Sequence, residues 1–379
     1  MAALDTDRKQ TLRVLTLNCW GLKFFSKLRR ERLTAIANRL AESEYDLIGL
    51  QEIWVESEDW TYMRTVCKEV YPYGQFFFTA AFGSGLAILS RHPIVSMDTY
   101  QYRLTGTPVY VSQGDWIAGK GCGCVTISHP SLGLVDVWNT HFTALGGQVG
   151  PESLRAHRTY ESYELAQRCN ASDLNSLPSS LCMSVLQHIA ELRDSFADVH
   201  GTAEEVGISC DSPQNTWTKG KKLDEQALKH NGKRLDYILY RNPAAAALHL
   251  QCVQHELAFT ELMDDLQVSY SDHFGVVATF HMVPGVSATR PQATEEERRV
   301  FGVCLGVLTV LVAANACASA WLRYGRSVAP SIVTSLLMVA CTWFGTTALY
   351  SGVIWGEWHK RALRSAMAQV QILYDVNNK

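Results

Sequence analysis

The sequence predicts an α/β (α+β) fold, a sandwich of mixed β-sheets flanked by helices, followed by a C-terminal two-helix transmembrane hairpin. Three observations predict it. Short apolar runs alternate with helical periodicity, several of those runs end in polar residues, and two long uncharged segments lie close together after residue 300.

Residues 12–17 form an apolar run ending in Asn18 and read as the first strand. Residues 29–41 place Leu33, Ile36, Ala37 and Leu40 on one face, the pattern of an amphipathic helix. Residues 47–50 form the next strand, ending in Gln51 and Glu52. Further strands are expected at 76–80, 86–90, 135–140, 235–240 and 276–282, which are rich in β-branched and aromatic residues and bounded by Gly, Pro or Asn. Residues 153–166 read as a helix, and 201–232 as a solvated loop with Lys219, Lys221 and Lys222 clustered.

The soluble domain is expected to span 1–285 and a linker 286–300, where Pro, Thr and Glu accumulate. Residues 301–322 carry no charge over 22 positions, and 327–356 none over 30, each enough to cross about 30 Å of hydrocarbon. The expected spans are 301–322 and about 330–355, with the tail at 357–379. The connection at 323–326 is too short for anything but a hairpin. Arg298, Arg299, Lys360, Arg361 and Arg364 flank its open end, so the positive-inside bias puts the large domain and the tail in the cytosol, on the endoplasmic reticulum or another endomembrane. Residues 1–10 are polar and offer no apolar leader.

Charge and cysteine usage narrow the function. Residues 1–285 hold 25 Lys plus Arg against 32 Asp plus Glu, a balance of −7 that argues against a nucleic-acid partner. The eight cysteines of this region are scattered without zinc-ligand spacing and read as reduced, structural thiols.

Asn18, Glu52, Asn139, His141, Asp236 and the pair Asp272 and His273 lie at or beside strand ends. One such residue is usually a cap, but their recurrence suggests groups gathered on the rim of a sheet. The segments Leu17-Asn18-Cys19-Trp20, Leu50-Gln51-Glu52, Asn139-Thr140-His141-Phe142, Ser172-Asp173-Leu174-Asn175, Arg234-Leu235-Asp236-Tyr237 and Ser271-Asp272-His273-Phe274 resemble, in order, six motifs of the endonuclease/exonuclease/phosphatase superfamily. Within it the chain most resembles the neutral sphingomyelinase and inositol phosphosphingolipid phospholipase C branch. That resemblance implies a four-layer, deoxyribonuclease-I-like sandwich and Mg²⁺-dependent hydrolysis of a phosphosphingolipid to ceramide and a phosphorylated headgroup.

The resemblance assigns roles to the residues. Glu52 and Asn18 would offer oxygen ligands to Mg²⁺, with Asp272 supporting the metal shell. His273, oriented by Asp236, would deprotonate the attacking water. Asp173 and Asn175 would position the nucleophile and the transition state. His141 would donate a hydrogen bond to phosphate or help protonate the leaving alkoxide. Asp115 and Lys120, in the glycine-flanked segment 114–121, would sit at the same site, Lys120 as a point charge for phosphate. His92 and His129, each beside a proline, read as turn histidines. Lys360, Arg361 and Arg364 suggest activation by anionic phospholipids.

The chain departs from the motif before Asp173. Residues 167–172 are mostly polar where the family carries an apolar strand, so an interior strand is expected to be missing. Unpaired backbone groups left by that loss would each cost about 1–3 kcal/mol when buried. The alternatives are a membrane-tethered nuclease or inositol-polyphosphate phosphatase using the same site or, because of the missing strand, an inactive pseudoenzyme or membrane adaptor.

Overall fold

The computed structural model describes residues 11–79, 83–104, 119–143, 152–168, 176–178, 180–203, 206–243 and 246–285. The expected linker, hairpin and tail lie outside the described residues, as do Asp115, Asp173 and Asn175. Among the described residues, no helix is long and apolar enough to cross a membrane.

Six strands make the larger sheet: β1 (Thr11–Asn18), β2 (Leu47–Gln51), β3 (Tyr73–Phe77), β4 (Leu86–Ser90), β10 (Leu248–Ala258) and β11 (Gly275–Pro284). Their order is β10-β11-β1-β2-β4-β3. Only β1 and β2 run parallel as neighbours; the other pairs are antiparallel, so this sheet is mixed. Helix α1 (Arg29–Ala41) makes the β1–β2 crossover and packs Leu33, Ile36, Ala37 and Leu40 under the sheet. α2 (Thr61–Cys67) adds Met63 and Cys67 to the same layer.

Among the described residues the second sheet is smaller, and its strand pairs are all antiparallel. β5 (Ile94–Gln101), β6 (Gly121–His129) and β7 (Gly133–Thr140) pair antiparallel in chain order, with a tight turn joining β6 to β7. α3 (Glu152–Ala166) and α4 (Leu181–Ile189) cover it through Leu165, Met183 and Leu186. A two-stranded ladder, β8 (Arg193–Asp194) with β9 (Leu239–Tyr240), stands apart, with α5 (Ser195–His200) directly following β8 and α6 (Glu225–Lys229) between the two strands in sequence.

Leu12, Phe77, Ile88, Val125, Ile127 and Val276 fill the space between the sheets. A Cβ on Gly123 would stand 2.3 Å from the Phe77 ring, so only glycine lets β6 approach β3 this closely. Asn139 crosses the same gap: its Nδ2 donates to Leu50 O and Ala87 O at 2.8 Å each, and its Oδ1 accepts from Gln51 Nε2 at 2.7 Å. It binds one sheet to the other.

Among the described residues no strand joins β7 to β9, and a cavity of about 290 Å³ opens between Val135 and Val137 on one side and Ile238 and Tyr240 on the other. The run expected at 235–240 pairs as a strand only at its last two residues. The amides of Leu235 and Asp236 go instead to Ser209 Oγ, at 3.1 and 3.3 Å. The solvated loop expected at 201–232 is likewise corrected. It holds α6 and a 3₁₀ turn at Thr216–Thr218, and it buries Ser209, Cys210 and Asn215.

Candidate active site

The parallel run of β1 and β2 carries Asn18 and Gln51 to one edge of the large sheet, and Glu52 follows. Asn18 is buried, donates from Nδ2 to Glu52 Oε1 at 3.1 Å, and accepts the Trp20 amide at Oδ1. Glu52 takes a left-handed backbone, φ 58°, an uncommon conformation for a residue with a side chain. Its carbonyl is gripped by the Gly21 amide at 3.0 Å, and a Cβ at Gly21 would lie 2.2 Å from that oxygen. Gly21 thus permits the turn that aims Glu52.

Arg32 supports the same turn from inside. It sits with Ile36 and Leu40 on the apolar stripe of α1, fully buried, and donates to the carbonyls of Cys19, Trp20, Lys27 and Tyr270. A cation on the apolar stripe of a helix is the sequence signal for this role.

The second sheet contributes Lys120 and His141, both buried, just before β6 and just after β7. Lys120 Nζ lies 3.0 Å from His141 Nδ1 and 3.3 Å from Nε2. His141 Nε2 is 3.9 Å from Glu52 Oε1. Burial, then the Lys120 ammonium and His273, push the His141 ring well below its usual pKa, so it is neutral at pH 7. A neutral ring donates one hydrogen bond but is a poor proton source, which separates the two roles expected of His141.

His273 precedes β11 and meets Asp236 at 2.8 Å, Nδ1 donating to Oδ2. Burial pulls the His273 ring down, but the neighbouring Cys210 and the Asp236 carboxylate outweigh it and hold the ring well above histidine's ordinary value. Asp236 is fully buried, and its Oδ1 has no hydrogen-bond partner among the described residues. Ser271 fixes the approach of His273 by donating to Asn18 O at 2.6 Å and accepting the His273 amide at 3.3 Å. Asp272 accepts from Lys221 Nζ at 3.2 Å, so a lysine assigned to a solvated loop belongs to this rim.

Glu52 is raised above the usual carboxylate range by burial first and then by the Asp272 carboxylate, against Lys120, Asn18 and His273. Two acids crowding one another among oxygen donors form a set suited to a hard divalent cation, which would relieve the repulsion. Among the described residues no cluster of three or more His, Cys, Asp or Glu is placed to hold a metal, so a cation here would keep several waters.

A two-sheet sandwich with a carboxylate, a His–Asp pair and a Lys–His pair on one rim is the equipment of a phosphoester hydrolase. Residues 15–171 match the Endonuclease/Exonuclease/phosphatase family. The chain is 32% identical over 337 residues to the inositol phosphosphingolipids phospholipase C of Saccharomyces cerevisiae, covering 76% of this chain and 68% of that protein. It is 28% identical to human sphingomyelin phosphodiesterase 2, over 75% of this chain and 67% of that one. Its fold is similar to the crystal structure of sphingomyelinase C from Streptomyces griseocarneus, with a TM-score of 0.52, 18% identity, and 71% and 99% of the two chains covered. The chain belongs to the endonuclease/exonuclease/phosphatase family, in the branch of neutral sphingomyelinases and inositol phosphosphingolipid phospholipases C, and is a phosphoric diester hydrolase.

Proposed function

We propose that the chain cleaves a membrane phosphosphingolipid in the manner of a phospholipase C, releasing ceramide and a phosphorylated headgroup. The observation that carries this reading is the meeting of Glu52 from one sheet with His141 and Lys120 from the other, in the same charge environment as His273. The relatives' names supply the substrate class.

In this reading Lys120 binds a phosphoryl oxygen through its charge and neutral His141 donates one hydrogen bond beside it. Above its raised pKa, His273 has a free Nε2 that takes a proton from water while Nδ1 stays on Asp236, and the water oxygen forms the new bond to phosphorus. The phosphorus–oxygen bond to ceramide breaks, and the ceramide oxygen takes a proton from solvent, so the net change is addition of one water. Glu52, with Asn18 and Asp272 beside it, would hold Mg²⁺, which when bound supplies positive charge to the phosphate oxygens. Asp173, Asn175 and Asp115 are proposed to complete the site. The apolar segments at 301–322 and 330–355 would tether it to a cytosolic membrane face, where anionic phospholipids could act on the adjoining basic residues.

The test offers labelled sphingomyelin, inositol phosphoceramide, a phosphoinositide and DNA to detergent-solubilised full chain, with Mg²⁺ or chelator, alongside Glu52→Ala. Ceramide release that needs Mg²⁺ and disappears in Glu52→Ala is the expected result. Cleavage of DNA or phosphoinositide alone, or of nothing, would overturn it.

A further inference from the structure

The chain between β1 and α1 presents the two most exposed large apolar side chains among the described residues, Phe24 at 92% and Phe25 at 78%. Leu22 and Leu28 beside them are each 41% exposed, and Lys27 and Arg30 are exposed as well. The segment is not loosely held. Phe25 and Ser26 amides both return to Leu22 O, Arg29 Nε donates to Gly21 O at 2.8 Å, and Lys23 Nζ pairs with Glu58 at 2.6 Å. Phe24 and Leu28 take left-handed φ values of 74° and 46°, strained for such residues and tolerated only where the surroundings impose them. The fold therefore fixes two phenyl rings in water, at a cost, instead of folding them inward.

Position says what they meet. The loop springs from Asn18 through Gly21, which grips the Glu52 carbonyl, so its root is the active-site rim. β3 runs in the same direction as β2, because both are antiparallel to β4, which brings Phe78, 60% exposed, to that same edge of the sheet. Aromatic side chains among lysines and arginines suit the bilayer interface, where rings bury in the acyl boundary and cations meet anionic headgroups.

We infer that residues 22–28, with Phe78, form a membrane-penetrating rim that seats the active site on the bilayer surface. The choice of a lipid surface as the occupant rests on the phosphosphingolipid reading above. Docking would let a headgroup reach the Glu52–His141 rim while its acyl chains stay in the membrane.

The test reads insertion separately from activity. An environment-sensitive fluorophore is attached at Phe24→Cys in the full chain, reconstituted in phosphatidylcholine bilayers with and without phosphatidylserine, and labelled wild type corrects for native thiols. Leu134→Cys is the control, exposed at the opposite end of β7 from His141. A blue shift, quenching by bromine-labelled acyl chains and enhancement by phosphatidylserine at position 24 alone are expected. No response at 24, or an equal response at 134, overturns the inference. In parallel, Phe24→Ser with Phe25→Ser should lower turnover of bilayer substrate about tenfold or more while sparing a water-soluble short-chain phosphodiester. Equal loss on both substrates would mean the loop only shapes the catalytic site. If the probe inserts but wild type cleaves no sphingolipid, the docking rim stands and the substrate reading falls.

Discussion

Nδ1 of His273 donates to Oδ2 of Asp236 at 2.8 Å, linking the turn before β11 to a fully buried carboxylate 37 residues earlier. The carboxylate fixes the ring's tautomer and direction. Asp236→Asn keeps the volume and removes the charge. It should lower kcat about a hundred-fold with KM little changed, and His273→Ala should lower it about a thousand-fold. Steady-state kinetics on the accepted substrate decide this, and a kcat near wild type in Asp236→Asn would remove the orienting role.

Glu52 is crowded by the Asp272 carboxylate and relieved by Lys120 and Asn18. If a divalent cation binds there, saturating Mg²⁺ at about a hundred times Kd should stabilise the folded chain by about 2.7 kcal/mol. Glu52→Gln should abolish most of that thermal shift along with turnover. A shift of equal size in both proteins would place the cation elsewhere.

Lys120 is buried against the ring of His141, where its charge helps keep that ring neutral. Lys120→Met should raise the His141 pKa toward its ordinary value and lower kcat/KM about a hundred-fold through lost contact with the phosphate. The ring's titration, followed by NMR with His141→Gln to assign the signal, should move up in pH. An unmoved titration would mean that burial alone sets the ring's state.

Asn139 was grouped by sequence with the functional strand ends, yet its amide joins the two sheets through Leu50 O, Ala87 O and Gln51 Nε2. Asn139→Ala strands three buried partners and should destabilise the domain by on the order of 3–5 kcal/mol. Thermal melting monitored by circular dichroism should drop by roughly 10 °C. A melt within a degree or two of wild type would show that the sheets are held by apolar packing alone.

What the sequence made legible follows from where partners lie along the chain. α1 was readable from Arg29 to Ala41 and β4 over all five residues, because their apolar periodicity is local. β5 escaped because its side chains are largely exposed and its apolar and polar residues do not alternate, and β6 because Gly121-Cys122-Gly123-Cys124 lacks the bulky residues that mark a strand. Residues 235–238 look like a strand, but the Leu235 and Asp236 amides go to Ser209, a partner no local pattern announces. At the site, Asn18, Glu52, His141, Asp236 and His273 were visible as polar residues at or beside strand ends, and the fold brings them together. Ser209 and Lys221 were not, since each acts only through a residue distant in sequence.

His129 offers a pH dependence away from the catalytic rim. It closes β6, is 5% exposed, and accepts the Ser131 and Leu132 amides at Nδ1, so it is the turn histidine its neighbour Pro130 suggested. Its ring centroid lies 4.5 Å from that of His92, the two rings tilted by 60°, and His92 lies 3.9 Å from Asp46. Burial first, then the His92 charge, lower its pKa to about 4. In the unfolded chain a histidine takes up its proton near pH 6.5, so between there and about pH 4 the unfolded state binds more protons and stability falls as pH drops; below that the loss levels off. The full effect is about 3 kcal/mol. His255, lowered to about 3 by burial and then by Arg234 and His200, acts in the same direction and extends the slope to lower pH. His129→Gln should therefore melt lower at pH 7.5, having lost a fitted acceptor, yet lose less stability than wild type between pH 6.5 and 4. Parallel melting-versus-pH curves for the two proteins would mean that His129 is protonated in the fold at little cost, and that the acid sensitivity resides in His255 or in the carboxylates.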